Sequence, residues 1–428
     1  MSAGSLVVVL YGQQVGTLAP APNGGVSFAY APQYLSRRIK PPLSVRMPVQ
    51  SKTLTPARVV PFLDGLLPEN REVRRQKARD LDIGDDLFSL LAVMGWDCPG
   101  AVQITSPERF EDMLSRVGDL EPVTEAEIGL RIARLRDHSA AWTLPEEHWS
   151  LAGQQEKFAL VRLRSADGTG GGWAEALGSA ATTHIVKPGI GRLHSQALVE
   201  HVTMRAAGAL GLDVARSDYV EFDGQPAIVV ERFDRVQLSD GTVQRIHQED
   251  FCQATGRMPE SKYEVHGGPT AKDMARVLRA HAHDPAPELR RLADFVLINW
   301  AAAAPDGHSK NVSIRILPNG DVRMAPFYDL ASGLPYDNAT VDRRLALAIG
   351  GERNIDRIHA AQWTRAAREL GVEEEWLHQR ARSLMAGFPD AFRDALVAMG
   401  TPEASLLWKQ SSTRIAEHTA SCLARLET

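Results

Sequence analysis

An apolar run of helix length, Phe295 to Ala303, empties into the polar hexapeptide Asp306-Gly-His-Ser-Lys-Asn311, and two strand-like segments, Val312–Leu317 and Val322–Tyr328, then flank Pro318-Asn-Gly-Asp321. Asn-Gly supplies the left-handed backbone that a tight hairpin turn needs. The local order is therefore helix, polar loop, hairpin and then a second acidic residue, Asp329. Phosphoryl transfer from ATP needs a carboxylate that positions or deprotonates an acceptor hydroxyl, together with oxygen ligands that hold Mg²⁺ on the phosphates. Asp306, Asn311 and Asp329 are the right residue types in the right order. Alone, an Asp and an Asn at this spacing also describe a polar loop that caps its own turns.

The same separation of Asp and Asn, with a later Asp beyond a hairpin, occurs in protein-kinase catalytic loops. Two partners are sought upstream. Lys187 ends the apolar segment Thr183-His-Ile-Val-Lys187, and Glu200 follows within a predicted helix from Gln196 to Leu210. A strand lysine that binds phosphate, kept in place by a helix carboxylate, is the matching arrangement. A buried ammonium needs such a partner. The departures from ordinary kinases are equally definite: no Gly-x-Gly-x-x-Gly precedes Lys187, no His-Arg precedes Asp306, and Tyr328-Asp329-Leu330 stands where Asp-Phe-Gly would. The candidate phosphate loop is instead Ser150-Leu-Ala-Gly-Gln-Gln-Glu-Lys157, a small-residue turn whose backbone N–H groups can face anionic oxygens. Gly168-Thr-Gly-Gly-Gly172 lacks the strand-to-helix context of a nucleotide loop and reads as a hairpin tip.

The chain has 428 residues, which suggests two or three domains of roughly 150 residues each. Lys and Arg number 48 and Asp and Glu 53, a net of −5, so bulk electrostatics does not drive nucleic-acid binding. Cys98, Cys252 and Cys422 form no paired motif and are expected to be buried thiols. Leu6–Leu10 is too short and lacks the preceding basic residues of a secretion signal, and no run approaches the ~20 apolar residues of a membrane span. A cytoplasmic protein without membrane contact is the expectation.

Strands are predicted at Leu6–Leu10, Val15–Leu18, Val26–Tyr30, Phe158–Leu163, Thr183–Lys187 and Ala227–Phe233. Helical patterns occupy Thr55–Met94, whose basic stretch Arg71–Arg79 reads as a solvated face, and 124–136 within an exposed connector over 107–139. After about Gly241 helices dominate: Ala271–His281, Pro287–Ala303, Ile358–Leu370, Glu373–Met385, Ala391–Met399 and Ser411–Leu426. The fold class is α+β and two-lobed, with a β-rich subdomain over 1–105, an α/β lobe over 106–240 and a mainly helical lobe over 241–428. ATP is expected in the cleft between lobes.

Several blocks, in order, resemble the HipA-type serine/threonine kinase toxins of bacterial toxin–antitoxin modules. They are Tyr11-Gly-Gln-Gln-Val-Gly-Thr-Leu18, Phe62-Leu-Asp-Gly-Leu-Leu-Pro-Glu69, Ser150–Lys157, Thr183–Lys187, Val230-Glu-Arg-Phe-Asp-Arg235, Gln248-Glu-Asp-Phe-Cys-Gln253, Asp306–Asn311 and Pro326-Phe-Tyr-Asp329. The resemblance implies a kinase-like fold in which Asp306 is the catalytic base, Asn311 and Asp329 hold Mg²⁺, and Lys187, supported by Glu200, contacts the ATP phosphates. It further implies ATP-binding roles for Ala152, Gly153, Gln154, Gln155, Glu156 and Lys157, for Glu231, Arg232 and Phe233 beside the adenine, and for His308, Ser309, Lys310 and Tyr328. Ser150 matches the serine that family members phosphorylate on themselves to switch the enzyme off. Two phosphate charges beside an ATP-phosphate loop would repel the nucleotide. Expected partners are a HipB-like helix-turn-helix antitoxin, operator DNA reached mainly through it, and an aminoacyl-tRNA synthetase as substrate. Arg365 and Arg368 are weaker candidates for direct DNA contact and otherwise solvated helix charges. Two rival readings share parts of the pattern: a small-molecule kinase of the aminoglycoside or choline type, which usually carries His where this chain has Ala304, and a non-catalytic corepressor, which has no need of Lys187, Asp306, Asn311 and Asp329.

Overall fold

The computed structural model describes residues 4–22, 25–115, 119–137, 149–163, 171–238 and 242–428. The chain divides into two compact units. The first comprises Met1–Pro188, Val220–Pro259 and Ile314–Val322; the second comprises Gly189–Tyr219, Glu260–Ser313 and Arg323–Thr428.

The first unit opens with strands β1 (Leu6–Leu10), β2 (Gln13–Pro20) and β3 (Val26–Tyr30), and β4 (Val102–Thr105) returns to complete a sheet of order β3-β2-β1-β4. Helix α1 (Pro56–Asp64) lays Val59, Phe62 and Leu63 into the same core as Val8, Leu18 and Phe28. Helix α2 (Arg71–Asp80) is the basic stretch. Val73, Lys77 and Ala78 are buried on it and Arg74 pairs with Asp64 at 2.7 Å, so only Arg71, Arg75 and Arg79 of its five cations are exposed.

The second sheet of this unit contains β5 (Asp119–Val123), helix α3 (Glu125–Asp137) follows in the chain, and then come β6 (Phe158–Arg162), β7 (Trp173–Leu177), β8 (His184–Lys187), β9 (Ser217–Phe222) and β10 (Gln225–Glu231). The order is β5-β7-β6-β8-β10-β9. β5 and β7 correct the sequence reading. The first lay inside the expected exposed connector, where Pro122 lowers strand propensity, but an edge strand tolerates a proline. The Gly-rich hairpin tip falls partly on residues 164–170, outside the described residues. On either side of it β6 and β7 pair antiparallel, with Val161 opposite Ala174. Ile128, Ile132 and Leu135 of α3 pack with Phe158, Leu160, Trp173 and Val229. The chain beyond the sheet forms β11 (Arg235–Gln237), β12 (Val243–Arg245) and β13 (His247–Asp250), of which the last two occupy a stretch read as the start of the helical region. Short alternating segments carry too weak a signal to be separated from loop.

The second unit is mainly helical. It contains α4 (Gln196–Ala209), α5 (Ala271–His281), α6 (Pro285–Ala301), α7 (Ala360–Leu370), α8 (Glu374–Met399) and α9 (Pro402–Arg425). Thr270 and Asp273 form a reciprocal capping box at the start of α5, and Thr401 caps α9, with Pro402 in the first turn. The break expected between Met385 and Ala391 is absent: α8 runs on through Pro389. Proline removes one helical hydrogen bond there, and burial of Leu384, Phe388 and Phe392 on the same face outweighs that loss. The hairpin strands are β14 (Ser313–Ile316) and β15 (Val322–Met324), closed by Gly320 at φ +89°; its residues Ile314–Val322 belong to the first unit. Cys98, Cys252 and Cys422 are all buried.

Candidate active site

In the second unit, α6 ends against a loop whose shape its own residues impose. Asn299 is buried on the last turn and donates Nδ2 to the Phe295 carbonyl at 2.8 Å, which leaves its side-chain oxygen over Gly307. A Cβ at 307 would stand 2.3 Å from that oxygen, so any larger residue would have to displace the Asn299 side chain. The chain then turns back on itself. His308 N donates to Asp306 O at 2.8 Å, Asn311 N to His308 O at 2.9 Å, and Asn311 Nδ2 to Asp306 O at 2.8 Å. With its NH₂ committed to a carbonyl, the Asn311 amide presents its oxygen on the other side, which is the hard donor a magnesium ion takes.

Asp329 reaches the same loop through its neighbour. The Tyr328 hydroxyl donates to the Lys310 carbonyl at 2.8 Å and shares a 2.6 Å bond with Ser313 Oγ. Asp329 itself sits in the left-handed region at φ +58°, a conformation Asp tolerates better than most residues and one that marks constrained sites. Beyond it, Ser332 Oγ donates to Ala302 O at 2.7 Å and Ser332 N to Thr203 Oγ1 at 3.1 Å, which fixes the segment to α6 and α4. Asn311 is thus bonded to the Asp306 carbonyl, and the residue before Asp329 to the residue before Asn311.

Asp306 keeps a side chain 60% exposed. Its Oδ1 accepts a short hydrogen bond from the Tyr263 hydroxyl and lies 3.6 Å from His308 Nε2. His308, Ser309 and Lys310 are buried, and Ser309 Oγ donates to Lys262 O at 2.8 Å. Glu200 is fully buried at the centre of α4, with Gln196 Nε2 3.5 Å from its Oε2. Arg365 and Arg368 are exposed on the solvent side of α7.

In the first unit, Lys187 closes β8 opposite Ile228 and is 6% exposed. The segment after Ser150 is held by residues that sequence reasoning left without a role. Ser150 is fully buried, its Oγ donating to Leu66 O at 2.6 Å and its N to Asp97 O at 3.0 Å. Further on, Glu69 N donates to Gly153 O at 3.0 Å, and the Arg74 guanidinium grips the Pro68 carbonyl. Leu66 to Glu69 therefore holds Ser150 and the loop beyond it. Gly153 has φ +102°, and a Cβ there would meet Lys157 Nζ at 2.6 Å, so the ammonium lies across the turn. Ala152, Gln155 and Glu156 are half-buried and Gln154 is exposed.

The linker residues part company. Glu231 is exposed and Phe233 half-buried, whereas the Arg232 side chain turns inward. Its guanidinium bonds Thr182 Oγ1 at 2.7 Å, Asp234 at 2.9 Å and Cys98 O at 3.0 Å, and pairs with Asp97 at 3.3 Å. Arg235 and Arg245 reach the same Asp97 at 2.8 and 2.9 Å. Burial alone would raise the Asp97 pKa; the guanidinium groups of Arg235, Arg245 and Arg232 overcome that and hold it well below the usual carboxylate range. One or two residue-long signals in sequence do not reveal such a network, because its five charged members are spread over 149 positions, from Asp97 to Arg245.

Residues 6–105 match the HipA N-terminal domain and residues 149–392 the HipA-like C-terminal domain. "Putative kinase Y4mE" of Sinorhizobium fredii is 35% identical over 387 residues, 89% of each chain. "Serine/threonine-protein kinase toxin HipA" of Shewanella oneidensis is 29% identical over 405 residues, covering 90% of this chain and 87% of that one. Among solved structures, a complex of Shewanella oneidensis MR-1 HipA with HipB and its operator DNA superposes with a TM-score of 0.78 at 27% identity, over 98% of this chain and 96% of that one. A kinase of mixed α and β structure is the class these features define. The chain belongs to the HipA family.

Proposed function

We propose that this protein transfers the γ-phosphoryl group of ATP to a serine or threonine hydroxyl of a protein, as the toxin of a toxin–antitoxin pair. The observation that supports the reading is the pair of bonds that tie Asn311 Nδ2 to the Asp306 carbonyl and Tyr328, the residue before Asp329, to the Lys310 carbonyl. Asp306 accepts the acceptor proton as the acceptor oxygen bonds to the γ-phosphorus. The bond from that phosphorus to the bridging oxygen breaks, and its electron pair leaves with ADP. Asn311 and Asp329 are the residues that would hold Mg²⁺, whose charge, when bound, neutralises the phosphate oxygens. Mg²⁺ takes hard oxygen donors, which the Asp329 carboxylate and the Asn311 amide oxygen can supply, with phosphate and water oxygens completing its shell. Lys187, residues 152–157 and the backbone near Glu231 and Phe233 are the ATP-binding groups of the first unit; Arg232 contributes through that backbone, because its side chain is engaged elsewhere.

A HipB-like antitoxin and, through it, operator DNA are the partners this reading takes from the Shewanella complex. An aminoacyl-tRNA synthetase is the proposed substrate, in the cytoplasm, with Ser150 a site of self-phosphorylation. The burial of Ser150 Oγ against Leu66 O supports a switch: a phosphate has no room there without expelling the loop. No helix among the described residues is long and apolar enough to cross a membrane. The test is label transfer from γ-labelled ATP by purified protein. Asp306→Asn is expected to abolish it, and transfer at the original rate removes Asp306 from the mechanism. Phosphoproteomes of cells expressing the chain or Asp329→Ala identify the acceptor.

A further inference from the structure

Three consecutive residues that no motif singled out, Lys262, Tyr263 and Glu264, clasp two separate parts of the second unit. The Lys262 carbonyl receives both donors of Ser309, Oγ at 2.8 Å and N at 3.4 Å. Glu264 Oε2 receives the Ala348 N–H at 2.8 Å. Between them Tyr263 reaches Asp306 Oδ1 with its hydroxyl, and its ring stands edge-on to the His308 ring at 4.8 Å and 88°. The turn itself is closed by His266 N and Gly268 N donating to Tyr263 O at 2.9 and 3.0 Å, and a Cβ at Gly268 would lie 2.3 Å from Ser261 O. Tyr263 is thus held through its own backbone, through its neighbours on both sides and through its ring.

The hydroxyl is the part of this assembly that burial does not explain. Asp306 is 60% exposed, and a hydrogen bond to an exposed carboxylate adds little to the stability of a fold. It does restrict the rotation of a side chain that has two χ angles, and it acts on the same Oδ1 that lies 3.6 Å from His308 Nε2. Orientation of a reacting group within a few tenths of an ångström is worth far more to a rate than to stability.

We propose that Tyr263 is a positioning residue for phosphoryl transfer, its hydroxyl fixing the Asp306 carboxylate in the rotation from which it takes the acceptor proton. The inference rests on the reading of Asp306 as the base. Tyr263 keeps its own proton throughout and touches neither nucleotide nor acceptor. The Lys262–Ser309 latch sets the distance, and the His308 ring sets the angle.

The test compares Tyr263→Phe and Tyr263→Ala with the unaltered full-length chain, by rate of label transfer from γ-labelled Mg-ATP into the chain itself, KM for ATP and melting temperature. Tyr263→Phe keeps the ring on His308 and loses only the donor. The expected result is a kcat lowered about tenfold, or about 1.4 kcal/mol of barrier, with the KM for ATP within about twofold and the melting temperature within about 2 °C of the original. Tyr263→Ala is expected to lose at least as much rate. An unchanged or increased kcat in Tyr263→Phe overturns the proposal, the increase because it would make the tyrosine a plug on the carboxylate. So does a loss confined to Tyr263→Ala, which would assign the effect to ring packing, and so does a fall in rate matched by a fall in melting temperature. Transfer by Asp306→Asn at the original rate overturns the base assignment instead, whatever the tyrosine variants do. Absence of any transfer by the unaltered chain removes both.

Discussion

The hydroxyl of Tyr328 and the main-chain carbonyl of Lys310 lie 2.8 Å apart, and this bond ties the residue before Asp329 to the residue before Asn311. Two candidate metal ligands that are 18 positions apart in the chain (329 − 311) are thereby fastened through their neighbours. Tyr328→Phe removes the bond and keeps the ring. The expected outcome is a rise of about tenfold in the Mg²⁺ concentration that half-saturates phosphoryl transfer, with stability lowered by only about 1 kcal/mol. Magnesium titrations of label transfer, with urea unfolding as control, check it.

Ser150 offers a second measurement. Ser150→Ala is expected to retain nucleotide binding at a stability cost of about 1 kcal/mol, since it leaves the Leu66 carbonyl without its partner. Ser150→Glu puts a longer, charged side chain where there is no exposed surface and is expected to weaken ATP binding by at least tenfold. Titration with a fluorescent ATP analogue distinguishes the two; equal affinities would remove Ser150 from control of the loop.

Asp97 is the shared anion of Arg232, Arg235 and Arg245. Replacing it by Ala leaves buried guanidinium charge uncompensated, at an expected cost of about 3–5 kcal/mol. The pH dependence has a definite sign. The folded-state pKa lies below the ordinary value of 3.8, so the contribution is fully present above that pH and is lost as acid protonates the carboxylate below it. Urea unfolding of the unaltered chain at a series of pH values is expected to show stability falling below about pH 4, and Asp97→Asn, where it folds, to show a shallower fall.

Glu249 titrates in the opposite sense. Burial pushes its carboxyl from 4.5 up to about 8, against the lowering effect of the Val45 N–H at 2.9 Å. The folded state therefore holds a proton that the unfolded chain releases between those values, and stability declines as pH rises from 4.5 to about 8. Glu249→Gln preserves an acceptor for Val45 and cannot ionise. Its denaturation midpoint is expected to be flatter than that of the unaltered chain between pH 5 and 8; an identical slope in both would show that another group dominates.

Much of the architecture was legible because its signals are local. The Asn-Gly turn of the β14–β15 hairpin, the capped and amphipathic α5 and the alternation in β3 each depend on neighbours within a few residues, and the structure has all of them. The order Asp306, Asn311, hairpin, Asp329 belongs to the same kind, since a tight turn returns the chain to the loop it left. The break expected in α8 failed for the converse reason: the helix runs through Pro389, and Leu384, Phe388 and Phe392 are buried on one face of it.

Contacts between remote segments had no such signature. That Leu66 to Glu69 braces Ser150 and the loop after it, that Arg232 turns from the linker toward Asp97, that β5 joins a sheet by pairing with a strand more than fifty residues later (173 − 119 = 54), and that Tyr263 meets Asp306 are all outcomes of packing. Composition and periodicity settle which residues bury and which local backbone they take. Which buried or polar group finally faces which other depends on the closure of long loops, and the free energy that selects one closure is summed over the whole core.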